Sequence, residues 1–123
     1  MKKAIIVFIL ILVAGTLWTQ VEAGRQSQAE MNMQAAKDFQ KADKELNRVY
    51  AKLNKALEPS KRKRLVTAQR AWIKFRDAES DFWASEMEGG SAEPMLYSGH
   101  QAQMTKQRTR ELNEAYKTLA EPR

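Results

Sequence analysis

After the apolar leader, helical periodicity breaks at only two stretches: Glu58-Pro59, and GGSAEP at 89–94. Proline removes a backbone donor and disfavours helical geometry at the residue before it, so a helix must end near Glu58. The paired glycines and the following proline make the second stretch a loop. Everything between reads as helix. In 28–57, Met31, Ala35, Phe39, Ala42, Leu46, Val49, Tyr50, Leu53 and Leu57 recur at spacings of three and four, which draws an apolar stripe. Ser27, with Glu30 three residues on, forms a capping box that would start this helix. The second helix is expected over 60–87 with Ser60 as its cap. The third begins near Pro94 and carries Tyr97, Met104, Leu112, Ala115 and Leu119 on one side until Pro122. No strand-like alternation and no internal repeat occurs. Two short connections force sequential helices antiparallel. The expected fold is all-α: three amphipathic helices in an antiparallel bundle, or a long helical hairpin with the third helix packed on it.

MKKAIIVFILILVAGTLWTQVEA, residues 1–23, has two lysines, an apolar run, and small residues Val21 and Ala23 placed for cleavage after Ala23. That is the pattern of a signal peptide. An uncleaved anchor is the alternative, but the apolar run is short against the roughly 20 residues that span a bilayer. The expected product is one exported domain, 24–123, periplasmic or secreted, with no stable membrane span after processing. It has no cysteine, so it holds neither a disulfide, nor a thiol nucleophile, nor a site for lipid attachment. Its 19 basic and 14 acidic side chains leave a net charge of +5. A surplus of that sign favours anionic envelope polymers or lipid headgroups. Export removes nucleic acid from the expected partners.

AQRAWIKFRDAES, residues 68–80, places charge among apolar residues. On a wheel of 100° per residue, Leu65, Ala68, Trp72, Phe75, Phe82 and Trp83 share a broad face, and Gln69, Arg76 and Glu79 point into it. Asp43 lies at the edge of the first helix's stripe and Arg108 inside the third's. Two acids and two bases in such positions predict a buried polar network of Asp43, Gln69, Arg76, Glu79 and Arg108, because unpaired buried charge is prohibitively costly. The network either fixes helix register or forms a recognition pocket. Arginines beside the carboxylates keep them ionised, so neither serves as a general acid near neutral pH. Trp72 and Trp83 are expected as packing anchors.

Two further features carry binding potential. The loop with Glu88, Gly89, Gly90, Ser91 and Glu93 is a candidate contact surface, or only a chain reversal. Lys61, Arg62, Lys63 and Arg64 form the densest basic cluster, at the helix end where positive charge is unfavourable. They are candidate anionic-ligand residues, or a solvated charge run. His100 is the lone histidine and has no metal-ligand neighbours. No phosphate-cradling loop or nucleophile–base arrangement occurs, so no cofactor, metal or catalytic residue is expected and the chain reads as a binding protein.

QAEMN (28–32), ADKELNRVY (42–50), AQRAWIKFRDAES (68–80), GGSAEP (89–94) and MTKQRTREL (104–112) resemble, in order, the blocks of the LprI-type lysozyme-inhibitor N-terminal domain family. The resemblance covers nearly all of 24–123. It implies a small helical exported domain and inhibition of lysozyme by binding; a different exported protein is the alternative partner. It also implies cysteines where Gln34, Ser80 and His100 stand here, so this chain departs from that pattern.

Overall fold

The computed structural model describes residues 2–120, with side chains from 27 to 120. The side chains of the expected signal peptide, 1–23, and of its cleavage residue Ala23 lie outside that description. Three long helices follow in order: α1 (Lys2–Ala56), α2 (Pro59–Ala84) and α3 (Glu93–Leu119), with one 3-10 turn (Ser85–Met87) after α2. The described residues contain no strand.

Two expected helix starts are corrected. α1 runs through Ser27 and does not begin there. No proline interrupts the segment before it, and each of its two glycines costs a helix only about 1 kcal/mol. α2 starts at Pro59, one residue before Ser60. Glu58 is its N-cap, extended at φ −57° and ψ 150° as the following proline requires.

α3 packs closely along α1 and also against α2, whereas the backbones of α1 and α2 approach each other little. Contacts set the register. Gln28 meets Met95, Arg76 reaches both Asp43 and Thr105, and Lys52 lies over the Tyr116 ring. α1 and α3 are therefore parallel, and α2 runs antiparallel to both.

The core is graded along the bundle. At the end where α1 turns into α2, Leu46, Val49, Leu53, Leu57 and Leu112 form a buried cluster, with Tyr50, Leu65, Trp72 and Tyr116 packed on it. Farther along, the buried positions become small or polar: Ala42, Ala84, Ala102, Gln101, Ser80 and Thr105. Ser80 and Thr109 satisfy their hydroxyls on the carbonyls one turn back, of Arg76 and Thr105.

That gradient overturns the expected inner face of α2. Its buried residues are Gln69, Arg76, Ser80 and Ala84. Phe75, Phe82 and Trp83 are 56%, 64% and 48% exposed, and of the expected aromatic face only Trp72 and Leu65 join the core. Small side chains on the buried faces of α2 and α3 favour close packing, which turns the bulky rings outward. Trp83 is thus not a buried packing anchor.

Candidate functional site

Arg76 is the centre of the polar layer. Its side chain is buried, its Nε donates to Asp77 Oδ1 at 2.8 Å, and its Nη1 donates to Asp43 Oδ1 at 3.3 Å and to Thr105 Oγ1 at 3.5 Å. The guanidinium also lies 5.0 Å from the centre of the Phe39 ring and 5.4 Å from that of Trp72. Gln101 Nε2 donates to Asp77 Oδ1 at 2.9 Å, which ties α3 into the same group. One turn away, Arg108 donates to buried Gln69 Oε1 at 3.1 Å and to Glu111 at 3.0 Å, and it too lies over Trp72.

Of the five residues expected in one network, Asp43 and Arg76 meet, and Gln69 and Arg108 meet beside them. Glu79 does not join. Its carboxylate accepts from the Trp83 indole N–H at 3.1 Å on the outer edge of α2. Asp77 takes the place expected of Glu79: the long Arg76 side chain folds back onto its neighbour, while Glu79 is engaged by the Trp83 indole. Both acids on Arg76 are about two-fifths exposed, so water shares the charge and no isolated buried ion results. Burial, followed by the negative charge of Asp77, pushes the Tyr97 phenol above its ordinary value.

The loop at 88–94 is rigidly tied. Gly89 sits at φ +72°, where a side chain is strained, and a Cβ on Gly90 would come within 3.0 Å of the Met87 carbonyl oxygen. Gly89 N–H donates to Glu93 Oε2 at 2.9 Å, so Glu93 is engaged within the loop. Asn32 of α1 donates to the Ser91 carbonyl at 2.9 Å. Glu88 and Ser91 remain exposed.

Beside this loop, Phe82 and Trp83 pack edge to face at 5.5 Å, and Trp83 lies 6.0 Å from His100. A cleft of about 540 Å³ opens between Trp83 and Glu86 on one side and Met95, Leu96, His100 and Gln103 on the other. A helical wheel places Phe82 and Trp83 inward and so hides this edge. A signal was present in the charges: 61–76 holds seven cations and no acid, while 77–105 holds six acids and neither lysine nor arginine. α2 therefore has no acid in its first turn and no base in its last, the reverse of what its dipole favours.

The basic cluster divides. Arg62 donates to the carbonyls of Asn54 at 2.9 Å and Leu57 at 3.1 Å, capping the end of α1. That commits its Nε and Nη2 to α1, so Arg62 is less available to an anionic ligand although it too is exposed. Lys61, Lys63 and Arg64 stay exposed. Among the described residues, no group of acids and histidine is arranged to hold a metal, and no helix is long and apolar enough to cross a membrane.

Comparison with known proteins places the chain. A solved structure of a DUF1311 family protein from Pseudomonas putida KT2440 superposes with a TM-score of 0.64 at 24% identity, covering 69% of this chain and 89% of that one. It supports the fold. An uncharacterized protein of Rhizobium meliloti (strain 1021) is 38% identical over 101 residues, 72% of this chain and 73% of its own length. The family model described as Lysozyme inhibitor LprI matches residues 19–112, and the chain belongs to that family.

Proposed function

We propose that this protein is an exported, non-catalytic inhibitor of a lysozyme-type muramidase, acting through the acidic aromatic end of its bundle. Family membership supports lysozyme as the partner class. The observation that carries the reading is the charge split along α2. A basic lysozyme would be repelled by the protein's overall positive charge, yet 77–105 is locally acidic and carries the exposed Phe82, Trp83 and Met87. Aromatic anchors ringed by acids suit a basic protein surface. Glu86, Glu88 and Ser91 complete the contact surface on a loop held in place by Asn32. Residues 1–23 act as the signal peptide, cut after Ala23, and 24–123 form the single working domain. The Arg76 and Arg108 groups are structural and hold the three helices in register.

The test is a muramidase assay against a basic animal lysozyme at low and moderate salt, with the Glu86→Lys/Glu88→Lys double variant alongside. The expected result is dose-dependent inhibition that weakens at least tenfold in the double variant, as reversing charges in a complementary interface costs more than about 1.4 kcal/mol. No inhibition by folded protein at large molar excess would refute the function. Inhibition untouched by the double variant would refute the surface.

A further inference from the structure

The opposite end of the bundle carries a second site. A cleft of about 350 Å³ lies where α1 turns into α2, lined by Leu53, Leu57, Leu65, Ala68, Ala115 and Leu119. Its wall is almost wholly apolar, and Leu119 is half exposed to solvent there. The two remaining lining residues are Lys61 and Arg64. They are three apart on α2 and so stand on one side of the helix. Both are exposed, and among the described residues neither enters an ion pair. Arg62 between them is used for capping α1, and Glu114 on the neighbouring helix is taken by Lys117 at 2.9 Å.

We propose that this cleft binds a single-chain anionic amphiphile, with its hydrocarbon tail among the leucines and its carboxylate or phosphate head between Lys61 and Arg64. Charge complementarity selects the occupant: an apolar slot whose only polar lining is cationic, on a segment with seven cations and no acid over 61–76. The cleft's size selects one chain. The cleft is open to solvent and its apolar floor is narrow, so one short alkyl chain can lie along it and a two-chain lipid cannot be enclosed. The cations sit at the first turns of α2, where they oppose the helix dipole, and an anionic head between them offsets that repulsion. The site is at the far end of the bundle from Phe82 and Trp83, so its occupancy is independent of the proposed inhibitory surface.

Titration calorimetry with laurate below its micellar concentration tests the site on the protein as exported. Dodecyltrimethylammonium, acetate and inorganic phosphate serve as comparison probes, together with vesicles of phosphatidylglycerol. The expected result is one saturable laurate site, and no comparable binding of the cationic surfactant or of either small anion. Lys61→Gln/Arg64→Gln should weaken laurate about tenfold, in line with two solvent-exposed ionic contacts. Ala68→Phe, at an exposed position of the lining, should block the cleft while leaving helicity by circular dichroism intact. Three results would overturn the proposal: equal affinity for laurate and the cationic surfactant, laurate binding unchanged in both variants, or binding to vesicles without binding to monomeric laurate. The last would make the face a membrane-surface patch.

Discussion

Where α1 turns into α2, five fully apolar side chains close the bundle and the surface around them is cationic. Where α2 turns into α3, the buried positions hold a serine, a threonine, glutamine, alanines and one arginine, while phenylalanine and tryptophan lie outside in an acidic setting. The first end is stabilised by removing hydrocarbon from water. The second is organised by hydrogen bonds, and that leaves its aromatic rings free for another molecule. On the proposed reading, the contacts that stabilise the fold and the surface that would meet a lysozyme are separated along the length of one helix, so each can be perturbed without the other.

The sharpest way to break the comparison is to open the leucine end. Leu53 is 1% exposed and sits inside the cluster with Leu46, Val49, Leu57 and Leu112. Leu53→Ala should cost about 3 kcal/mol, the transfer of the lost methyl groups plus the cavity left behind. Chemical denaturation followed by circular dichroism reads it. A cost below about 1 kcal/mol would mean that this end is not the stabilising one.

The polar end should lose less, and in a way that depends on what replaces the arginine. Arg76→Ala removes both the ionic contacts and the hydrocarbon packed near Phe39 and Trp72, and should cost about 2 to 3 kcal/mol. Arg76→Met keeps most of the apolar stem. Asp43 and Asp77 can then take up water, since each is about two-fifths exposed, and the cost should fall to about 1 to 2 kcal/mol. Equal costs for the two variants would assign the stabilisation to charge alone.

Legibility in the sequence followed the same division. Pro59 and the glycines at 89 and 90 act on the backbone itself, so the three helices and their antiparallel order could be read from local chemistry. The stripe of α1 from Ala42 to Leu57 was equally plain, because a long helix buried on one side must repeat at three and four. In α2 the wheel and the structure disagree at Phe75, Phe82, Trp83 and Glu79. A helical wheel gives the angle between residues and not which side another helix will occupy. Here the buried positions carry small residues on both helices, Ser80 and Ala84 on α2 and Ala102 and Thr105 on α3, and the rings are left outside. The charge reversal along α2 was visible in the sequence throughout, but net charge averages it away.

That reversal offers a smaller and more specific perturbation. Lys61 stands in the first turn of α2 and Asp81 in the last, each opposite in sign to what the dipole favours. Lys61→Glu and Asp81→Lys should each raise stability by about 0.3 to 1 kcal/mol at low salt. The gain should shrink at high ionic strength. A loss of stability in either variant would show that the charges serve the fold, and the separation of stability from recognition would fail.

The smallest effect concerns pH and lies at the polar end. Tyr97 has its phenol raised above the ordinary value by burial first and by the charge of Asp77 second. A group that holds its proton more tightly in the folded chain contributes stability that is fully present below its unfolded pKa, near 10. That contribution is lost as pH rises through the higher folded value, because the unfolded state releases the proton more readily. Thermal unfolding should therefore show a drop in midpoint beginning above about pH 10. Tyr97→Phe should reduce the drop while leaving the midpoint at neutral pH nearly unchanged. Asp77→Asn should reduce it only in part, since burial is the larger cause and remains when the charge is gone. An identical alkaline slope in wild type and Tyr97→Phe would place the phenol in water and detach it from the Arg76 and Asp77 group.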